Sequence, residues 1–117
     1  MTTFTHSHVP EVSADKAMAL IADGAVLIDI REPNEWQAGH APMATHIPMG
    51  ELGAAAQGLS TTDALIFICR SGRRSDQAVG ALVRAGFHAI NLSGGMHAWQ
   101  LAGGAVVRDD GSTGMVI

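Results

Sequence analysis

Short apolar runs alternate along this chain with segments in which apolar residues recur every three or four positions. Buried strands are predicted where the runs are rich in β-branched residues, at 25–30, 64–68 and 89–92, and shorter strands at 11–12 and 45–47. The helical spacing predicts helices at residues 14–23, 34–38, 51–57, 75–85 and 96–101. Strands that alternate with helices at this short spacing favour an α/β fold with a mostly parallel sheet.

The most apolar run, Ala64 to Ile68, leads directly into Cys69, which is the only cysteine of the 117 residues. Three of the seven basic residues follow it within five positions. The helix predicted from Ser75 adds unpaired N–H groups and a partial positive charge at its N-terminus. Positive charge and N–H donors favour the thiolate, which is the nucleophilic form of cysteine. An inert, buried cysteine would be consistent with the position at the end of an apolar strand, but it would not account for the three arginines that follow. Cys69 is therefore predicted to be a nucleophile.

Composition limits the partners that such a protein can have. One domain is expected at this length, and 47% hydrophobic residues suffice for a core. A formal net charge of −4 argues against nucleic acid or an anionic membrane, whereas the arginines after Cys69 predict a local site for a small anion. A single cysteine excludes an internal disulfide and indicates a reducing compartment. Residues 1–10 lack the features of a secretory signal, and no apolar run approaches the ~20 residues of a membrane helix, so we expect a soluble, cytoplasmic protein.

Several polar residues outside this loop have both a functional and a structural interpretation. His6 and His8 could bind a metal, but a solvated arm is favoured because no acidic or sulfur ligand stands near them. His40 could be a general base, although a histidine beside glycine and proline more often hydrogen-bonds backbone and holds a loop. Asp29 and Arg31 could contact a ligand at the end of a strand, and a structural ion pair is favoured for them.

The C-terminal third carries three further signals. Ser93-Gly94-Gly95 could cradle a phosphate, but a turn in which Ser93 caps the next helix explains it without a ligand. Trp99 is predicted to be a buried or covering side chain. Asp109-Asp110-Gly111 is a turn signal between two β-prone pieces, so residues 106–117 are expected to form a hairpin or a loose tail.

Taken in order, these motifs resemble those of single-domain rhodanese-like proteins, which are sulfurtransferases. The resemblance covers residues 12–107 and rests on Leu27 to Glu32 with Glu35-Trp36, Gly39 to Ala41, Ile47-Pro48, Ile68 to Ser75, and Leu92 to Met96 with Trp99. The sequence departs from the family pattern at two positions: the family often has a β-branched residue in place of Ala41 and a glycine in place of Met43. The resemblance implies a mostly parallel five-stranded sheet flanked by helices on both faces. It also implies one domain over 1–117, with a core at about 11–107, an N-terminal arm at 1–10 and a tail or hairpin at 108–117.

The resemblance further implies that Cys69 is the catalytic residue and carries a transferable sulfur as a persulfide. The residues expected to bind the sulfur donor are those of the following loop, Arg70, Ser71, Gly72, Arg73, Arg74 and Ser75. A donor such as thiosulfate is an anion; the thiolate attacks its outer sulfur, and sulfite leaves. Loop N–H groups then stabilise the anionic persulfide until cyanide, a thiol or a carrier protein accepts the sulfur. This chemistry requires no metal and no organic cofactor.

Two other function classes are compatible with a loop of this kind. Phosphatases and arsenate reductases of related fold need Cys-x5-Arg, and counting from Cys69 places Ser75 where that arginine belongs. A non-catalytic module that senses redox state or sulfur, or that only binds a partner, could carry the same residues, because low-pKa cysteines oxidise readily. The sequence argues against the first class and leaves the second open.

Overall fold

The computed structural model describes residues 9–117, so residues 1–8 of the predicted arm, with His6 and His8, lie outside the described residues. Of the last two residues predicted for the arm, Val9 packs against the core and the Pro10 carbonyl oxygen accepts the Asn91 N–H at 2.8 Å. Within that range, strands alternate with helices. The strands are β1 (Glu11–Val12), β2 (Val26–Asp29), β3 (Thr45–His46), β4 (Leu65–Ile68) and β5 (Ala89–Leu92). The helices are α1 (Ala14–Ala22), α2 (Pro33–Ala38), α3 (Met49–Ala55), α4 (Arg73–Arg84) and α5 (Gly95–Leu101), with a 3-10 turn at Ala56–Gly58.

All strand pairs of the sheet are parallel, and the strand order is β1-β5-β4-β2-β3. The most apolar run of the sequence therefore lies in the centre, with Phe67 opposite Ile28 on one side and Asn91 on the other. The carboxyl ends of β4 and β5 lie at the same edge of the sheet, because parallel strands run in one direction. This edge carries the cysteine loop.

The sheet is buried on both faces, which confirms the predicted α/β architecture. In β4, Ile66 and Ile68 face a cluster that includes residues of α1 and α5, and Leu65 and Phe67 face one that includes residues of α3 and α4. Each of these four side chains is at most 2% exposed. Burial on both faces explains why the strand is a continuous apolar run rather than an alternating one. The backbone after β4 is consequently held in a rigid, close-packed setting.

Four helix starts differ from the sequence prediction, and the start of α2, at Pro33 rather than residue 34, differs by one residue only. Helix α4 begins at Arg73 rather than Ser75, because Gly72 adopts a left-handed conformation (φ +102°) that turns the chain into the helix at once. Helix α5 begins at Gly95 after Gly94 at φ +80°, so the expected cap by the Ser93 side chain is wrong. Helix α3 begins at Met49 and gives way after Ala55 to the 3-10 turn.

The structural interpretations of the polar residues after β2 are confirmed. The Arg31 guanidinium forms a fully buried ion pair with Asp29, with Nη2 2.8 Å from Oδ2, and also donates to the Gly39 carbonyl. The Nδ1 atom of His40 lies 2.8 Å from the Trp36 carbonyl oxygen. These residues tie the loops together and form no hydrogen bond with Cys69. Trp99 is also buried, at 2% exposure, with its indole N–H on a backbone carbonyl.

The C-terminal segment turns back on itself and packs against the chain near α2. Val107 forms isolated antiparallel bridges with both His40 and Thr113. The Met115 N–H donates to the Ala38 carbonyl oxygen over 2.9 Å. In residues 9–117, none of the helices has the length and apolar character needed to cross a bilayer. In the same part of the chain, no three His, Cys, Asp or Glu side chains are grouped so that they could hold a metal ion.

Candidate active site

Cys69 directly follows the central strand and is 1% exposed. Its sulfur accepts two hydrogen bonds, from the Gly72 N–H at 3.1 Å and from the Ser75 hydroxyl at 3.3 Å. Both donors come from the first residues of α4 or the turn before it. The chain therefore folds back over the sulfur within three residues, and the left-handed Gly72 makes that turn possible.

A second helix fixes the carbonyl groups of the same loop. The N–H groups of Met96 and His97, at the start of α5, donate to the carbonyl oxygens of Cys69 (2.8 Å) and Arg70 (3.2 Å). A Cβ atom on Gly95 would stand 2.7 Å from the carbonyl carbon of Arg70, so only glycine permits this approach. These carbonyls are therefore held in place by α5. The Gly94-Gly95 pair is thus accounted for by backbone packing, without a bound phosphate.

The surroundings of the sulfur favour the thiolate. Burial alone raises the pKa of the Cys69 thiol, but donation from the Ser75 hydroxyl and from the N–H groups of Ser75, Gly72 and Ser71 outweighs burial and lowers that pKa. The sequence predicted this direction and assigned it to the arginines and the helix N-terminus. In the structure the main causes that lower this pKa are hydrogen-bond donors at the helix start, and the Coulombic attraction between Arg74 and Cys69 acts in the same direction.

The three arginines of the loop have different surroundings. Arg74 is engaged in a bidentate ion pair with Glu35 of α2, at 2.8 and 2.9 Å. The Nε of Arg70 donates to the Ile117 carbonyl oxygen at 2.9 Å. Arg73 is exposed and makes no hydrogen bond or ion pair with any residue in the range 9–117. Of the three, Arg73 is the side chain most available to an incoming anion.

The ion pair between Glu35 and Arg74 anchors α4 to α2. Hydrogen bonding to Arg74 lowers the pKa of Glu35, and the same bond raises the pKa of Arg74. Glu35 also accepts the Glu32 N–H in the capping box of α2. The pair spans 39 positions of sequence, so local spacing could not reveal it. It positions the start of α4, which supplies the donors to Cys69.

Sequence reasoning also missed Asn91, which lies in β5 and is 1% exposed. Its side-chain oxygen lies 2.5 Å from the Ser75 hydroxyl, which itself contacts Cys69. The available signal was a polar residue within the apolar run Ala89–Leu92, since buried polar residues are uncommon and need partners. Beside this residue lies a cleft of about 390 Å³, whose lining includes Glu11, Gly72, Arg73 and Asn91.

Comparisons with known proteins agree on one family. A family model described as the rhodanese-like domain matches residues 13–102. The chain is 35% identical over 96 residues to a candidate sulfur carrier protein, YrkF, of Bacillus subtilis (strain 168); this match covers 80% of the chain and 52% of YrkF, so the chain spans about half the length of that relative. It is 32% identical over 95 residues to the thiosulfate sulfurtransferase GlpE of Pseudomonas entomophila (strain L48), covering 80% of this chain and 87% of GlpE. The crystal structure of a rhodanese-related protein from Thermoplasma volcanium superposes with a TM-score of 0.78 at 28% identity, covering 84% and 97% of the two chains.

Proposed function

The chain belongs to the rhodanese-like family, and from this premise we propose that it is a sulfurtransferase that carries sulfane sulfur on Cys69 as a persulfide. The observation that carries the proposal is the pair of donors on the Cys69 sulfur, the Gly72 N–H and the Ser75 hydroxyl. Donors that face the sulfur from the start of a packed helix stabilise an anion there, as an oxyanion hole does. They serve the thiolate before sulfur transfer and the persulfide after it.

The proposed reaction has two steps that balance without a cofactor. In the first step the Cys69 thiolate attacks the outer sulfur of thiosulfate, the S–S bond of the donor breaks, and sulfite leaves with the bonding electron pair. In the second step a nucleophilic acceptor attacks the terminal sulfur of the persulfide and Cys69 leaves as the thiolate. Cyanide as acceptor gives thiocyanate. Because these 117 residues contain no second cysteine, none of them can take the sulfur as a thiol.

The loop residues divide these tasks between them. Ser71, Gly72 and Ser75 supply N–H or hydroxyl donors toward the sulfur. Arg73, exposed at the rim of the 390 Å³ cleft, attracts the anionic donor. Arg70 and Arg74 act mainly on the shape of the loop, because one binds the Ile117 carbonyl and the other Glu35.

Relatives support sulfur chemistry for this chain more firmly than they support a particular donor or acceptor. One is named as a candidate sulfur carrier and another as a thiosulfate sulfurtransferase. We propose a small anionic sulfur donor, and as acceptor a small thiophile or the thiol of a carrier protein. The phosphatase alternative is disfavoured, because Ser75 occupies the position of the required arginine and its hydroxyl binds the sulfur. We place the reaction in a reducing compartment such as the cytoplasm, since oxidation would consume a thiolate.

The proposal is tested by sulfur transfer from thiosulfate to cyanide, with Cys69→Ser as the decisive variant. We expect wild type to form thiocyanate and to gain the mass of one sulfur atom on incubation with thiosulfate alone. Cys69→Ser should do neither while keeping its circular dichroism spectrum, because a hydroxyl there is not ionised. Thiocyanate formation by Cys69→Ser would overturn the assignment of the nucleophile. A wild type that neither takes up sulfur nor turns over would instead support the sensing module.

A further inference from the structure

Asn91 lies at the centre of a buried hydrogen-bond network that ends at the Cys69 sulfur. Its Oδ1 lies 2.5 Å from the Ser75 hydroxyl oxygen, and its Nδ2 lies 3.4 Å from both the Gly72 carbonyl oxygen and Glu11 Oε2. Asn91 and Ser75 are 1% and 0% exposed. A buried side-chain amide in the sheet destabilises the fold unless its own donors and acceptor are hydrogen-bonded. The presence of Asn91 at this position therefore calls for an explanation.

The orientation of this amide is dictated by its neighbours. The Gly72 carbonyl and the Glu11 carboxylate are acceptors, so the group that faces them must be the NH₂ donor. The side-chain oxygen then faces the Ser75 hydroxyl. The reverse orientation would place the Asn91 side-chain oxygen against the Gly72 carbonyl oxygen and the Glu11 carboxylate, so that three acceptors would meet without a donor.

The Ser75 hydroxyl has a single proton and three acceptors within reach. These are Asn91 Oδ1 at 2.5 Å, Cys69 Sγ at 3.3 Å and the Gly72 carbonyl at 3.3 Å. A neutral thiol is a weak acceptor, so the proton lies on the amide oxygen while Cys69 is protonated. A thiolate accepts a charge-assisted bond, which is about twice as strong as a neutral one, so ionisation draws the proton to the sulfur.

We propose that Asn91 is a positioning residue that holds the Ser75 hydroxyl proton while the Cys69 sulfur is neutral and releases it when the sulfur becomes anionic. Ser75 then stabilises the anion, and Asn91 stabilises the neutral thiol by competing for the same proton. The two residues therefore act on Cys69 ionisation in opposite directions. Extension of this exchange to the persulfide rests on the proposed function; the exchange at the thiolate does not.

Charged groups surround the network on several sides. Glu11 on β1 contacts the Asn91 amide, and Arg73, Arg74 and Asp76 lie in the first turn of α4. The buried ion pair of Asp29 with Arg31 lies at the end of the neighbouring strand β2. All of these groups are unchanged in the variants below. Their contributions to Cys69 ionisation should cancel when a variant is compared with wild type, except that Glu11 loses its contact with the amide in the Asn91 variants, a change that the comparison of the double variant with Ser75→Ala isolates.

The test is a titration of Cys69 followed by the ultraviolet absorbance of the thiolate. The chain has one cysteine and no tyrosine, so after subtraction of the Cys69→Ser baseline the signal reports Cys69 alone. Ser75→Ala should raise the pKa by about one unit or more, since a hydrogen bond to a charged group contributes about 1.5–3 kcal/mol. Asn91→Leu should lower it by about half a unit, the value of a neutral hydrogen bond of about 0.7 kcal/mol.

The opposite signs distinguish positioning from a structural role. A substitution that merely loosens the loop removes donors from the sulfur and raises the pKa. Gln77→Leu, an amide-to-leucine change at an exposed position of α4 outside the network, is the matched control and should leave the pKa unchanged. In the double variant Ser75→Ala/Asn91→Leu the titration should equal that of Ser75→Ala alone, because Asn91 acts through the hydroxyl.

Circular dichroism checks that each variant is folded, and Asn91→Ala, which only removes atoms, provides the same measurement if Asn91→Leu does not fold. A pKa that is unchanged or raised in the folded Asn91 variant would overturn the proposal. So would a shift caused by Asn91→Leu that persists when Ser75 is already alanine. Neither readout depends on sulfur transfer, so this result is separate from the thiosulfate assay of Cys69→Ser.

Discussion

Replacing Gly95 with alanine tests whether α5 shapes the loop that holds the sulfur. Gly95 has φ +58°, a left-handed conformation that disfavours a side chain by about 1–2 kcal/mol. The new Cβ would also meet the Cys69 carbonyl oxygen and would stand 2.7 Å from the carbonyl carbon and oxygen of Arg70. These are backbone atoms and cannot rotate away. Either the loop or the start of α5 must move.

The size of the effect follows from these two contributions. Forcing extra atoms into a packed site costs about 1–3 kcal/mol, so the total for Gly95→Ala is about 2–5 kcal/mol. A small domain has a stability of about 5–15 kcal/mol, so the variant should remain folded at room temperature. Its melting temperature should fall by roughly 4 °C for each kcal/mol. The displaced loop should also lose the alignment of its N–H donors with Cys69.

Gly103→Ala is the matched control at the other end of the same helix. Gly103 has φ +89°, and a Cβ there would meet no atom within 4 Å, so only the conformational cost of about 1–2 kcal/mol applies. Urea unfolding and thiosulfate turnover should be measured for both variants. We expect Gly95→Ala to lose clearly more stability and most of its activity, and Gly103→Ala to keep full activity. Equal losses of stability, or full activity in Gly95→Ala, would refute the argument that α5 holds the loop carbonyls.

Three further predictions concern charge and pH. Arg73→Ala should lower kcat/KM for thiosulfate about tenfold, a loss of about 1.4 kcal/mol, and high salt should lower the activity of wild type in the same direction. The control variant Arg84→Ala, at the far end of α4, should leave kcat/KM unchanged. Equal activity of the two variants would contradict an anion site at Arg73. The Arg74 guanidinium lowers the pKa of Glu35 from its ordinary value of 4.5, so the pair stabilises the fold above that pH and loses its effect as pH falls through the folded value. Glu35→Gln should thus be about 1 kcal/mol less stable than wild type at pH 7 and equally stable in acid, as measured by urea unfolding. A difference in unfolding free energy that is the same at all pH values would exclude this linkage. Because the folded pKa of Cys69 lies below its ordinary value of 9.0, wild type should gain stability over Cys69→Ser as pH rises toward 9.0, measured in reductant; a constant difference would argue against a stabilised thiolate.

The parts of this protein that sequence could predict are those with local causes. Apolar runs buried on both faces identified the strands within one or two residues, and Cys69 followed from its position after the most apolar run. The start of α4 was predicted two residues late because Gly72 and the arginines after it look like a loop. A left-handed glycine converts those arginines into the first turn of a helix, which changes what each side chain can reach.

The remaining features of the candidate site depend on the order of the strands. Arg74 meets Glu35 because α2 and α4 begin after the carboxyl ends of the neighbouring parallel strands β2 and β4, and Asn91 meets Ser75 because β5 lies beside β4. Neither contact can be inferred from the spacing of residues that are close in sequence. The lowered pKa of Cys69 was predicted in the right direction for an incomplete reason, since the Ser75 hydroxyl reaches the sulfur through the left-handed turn at Gly72.

The central position of β4 also determines how the protein would fail under stress. Strands paired on both sides exchange their amide hydrogens last, because they open only when the domain as a whole unfolds. Cys69 is attached directly to such a strand, while the edge strands β1 and β3 are only two residues long and are expected to fray first. On heating, the edge strands should therefore open locally at lower temperatures than β4, which carries Cys69. Loss of function and loss of fold would then occur as a single event.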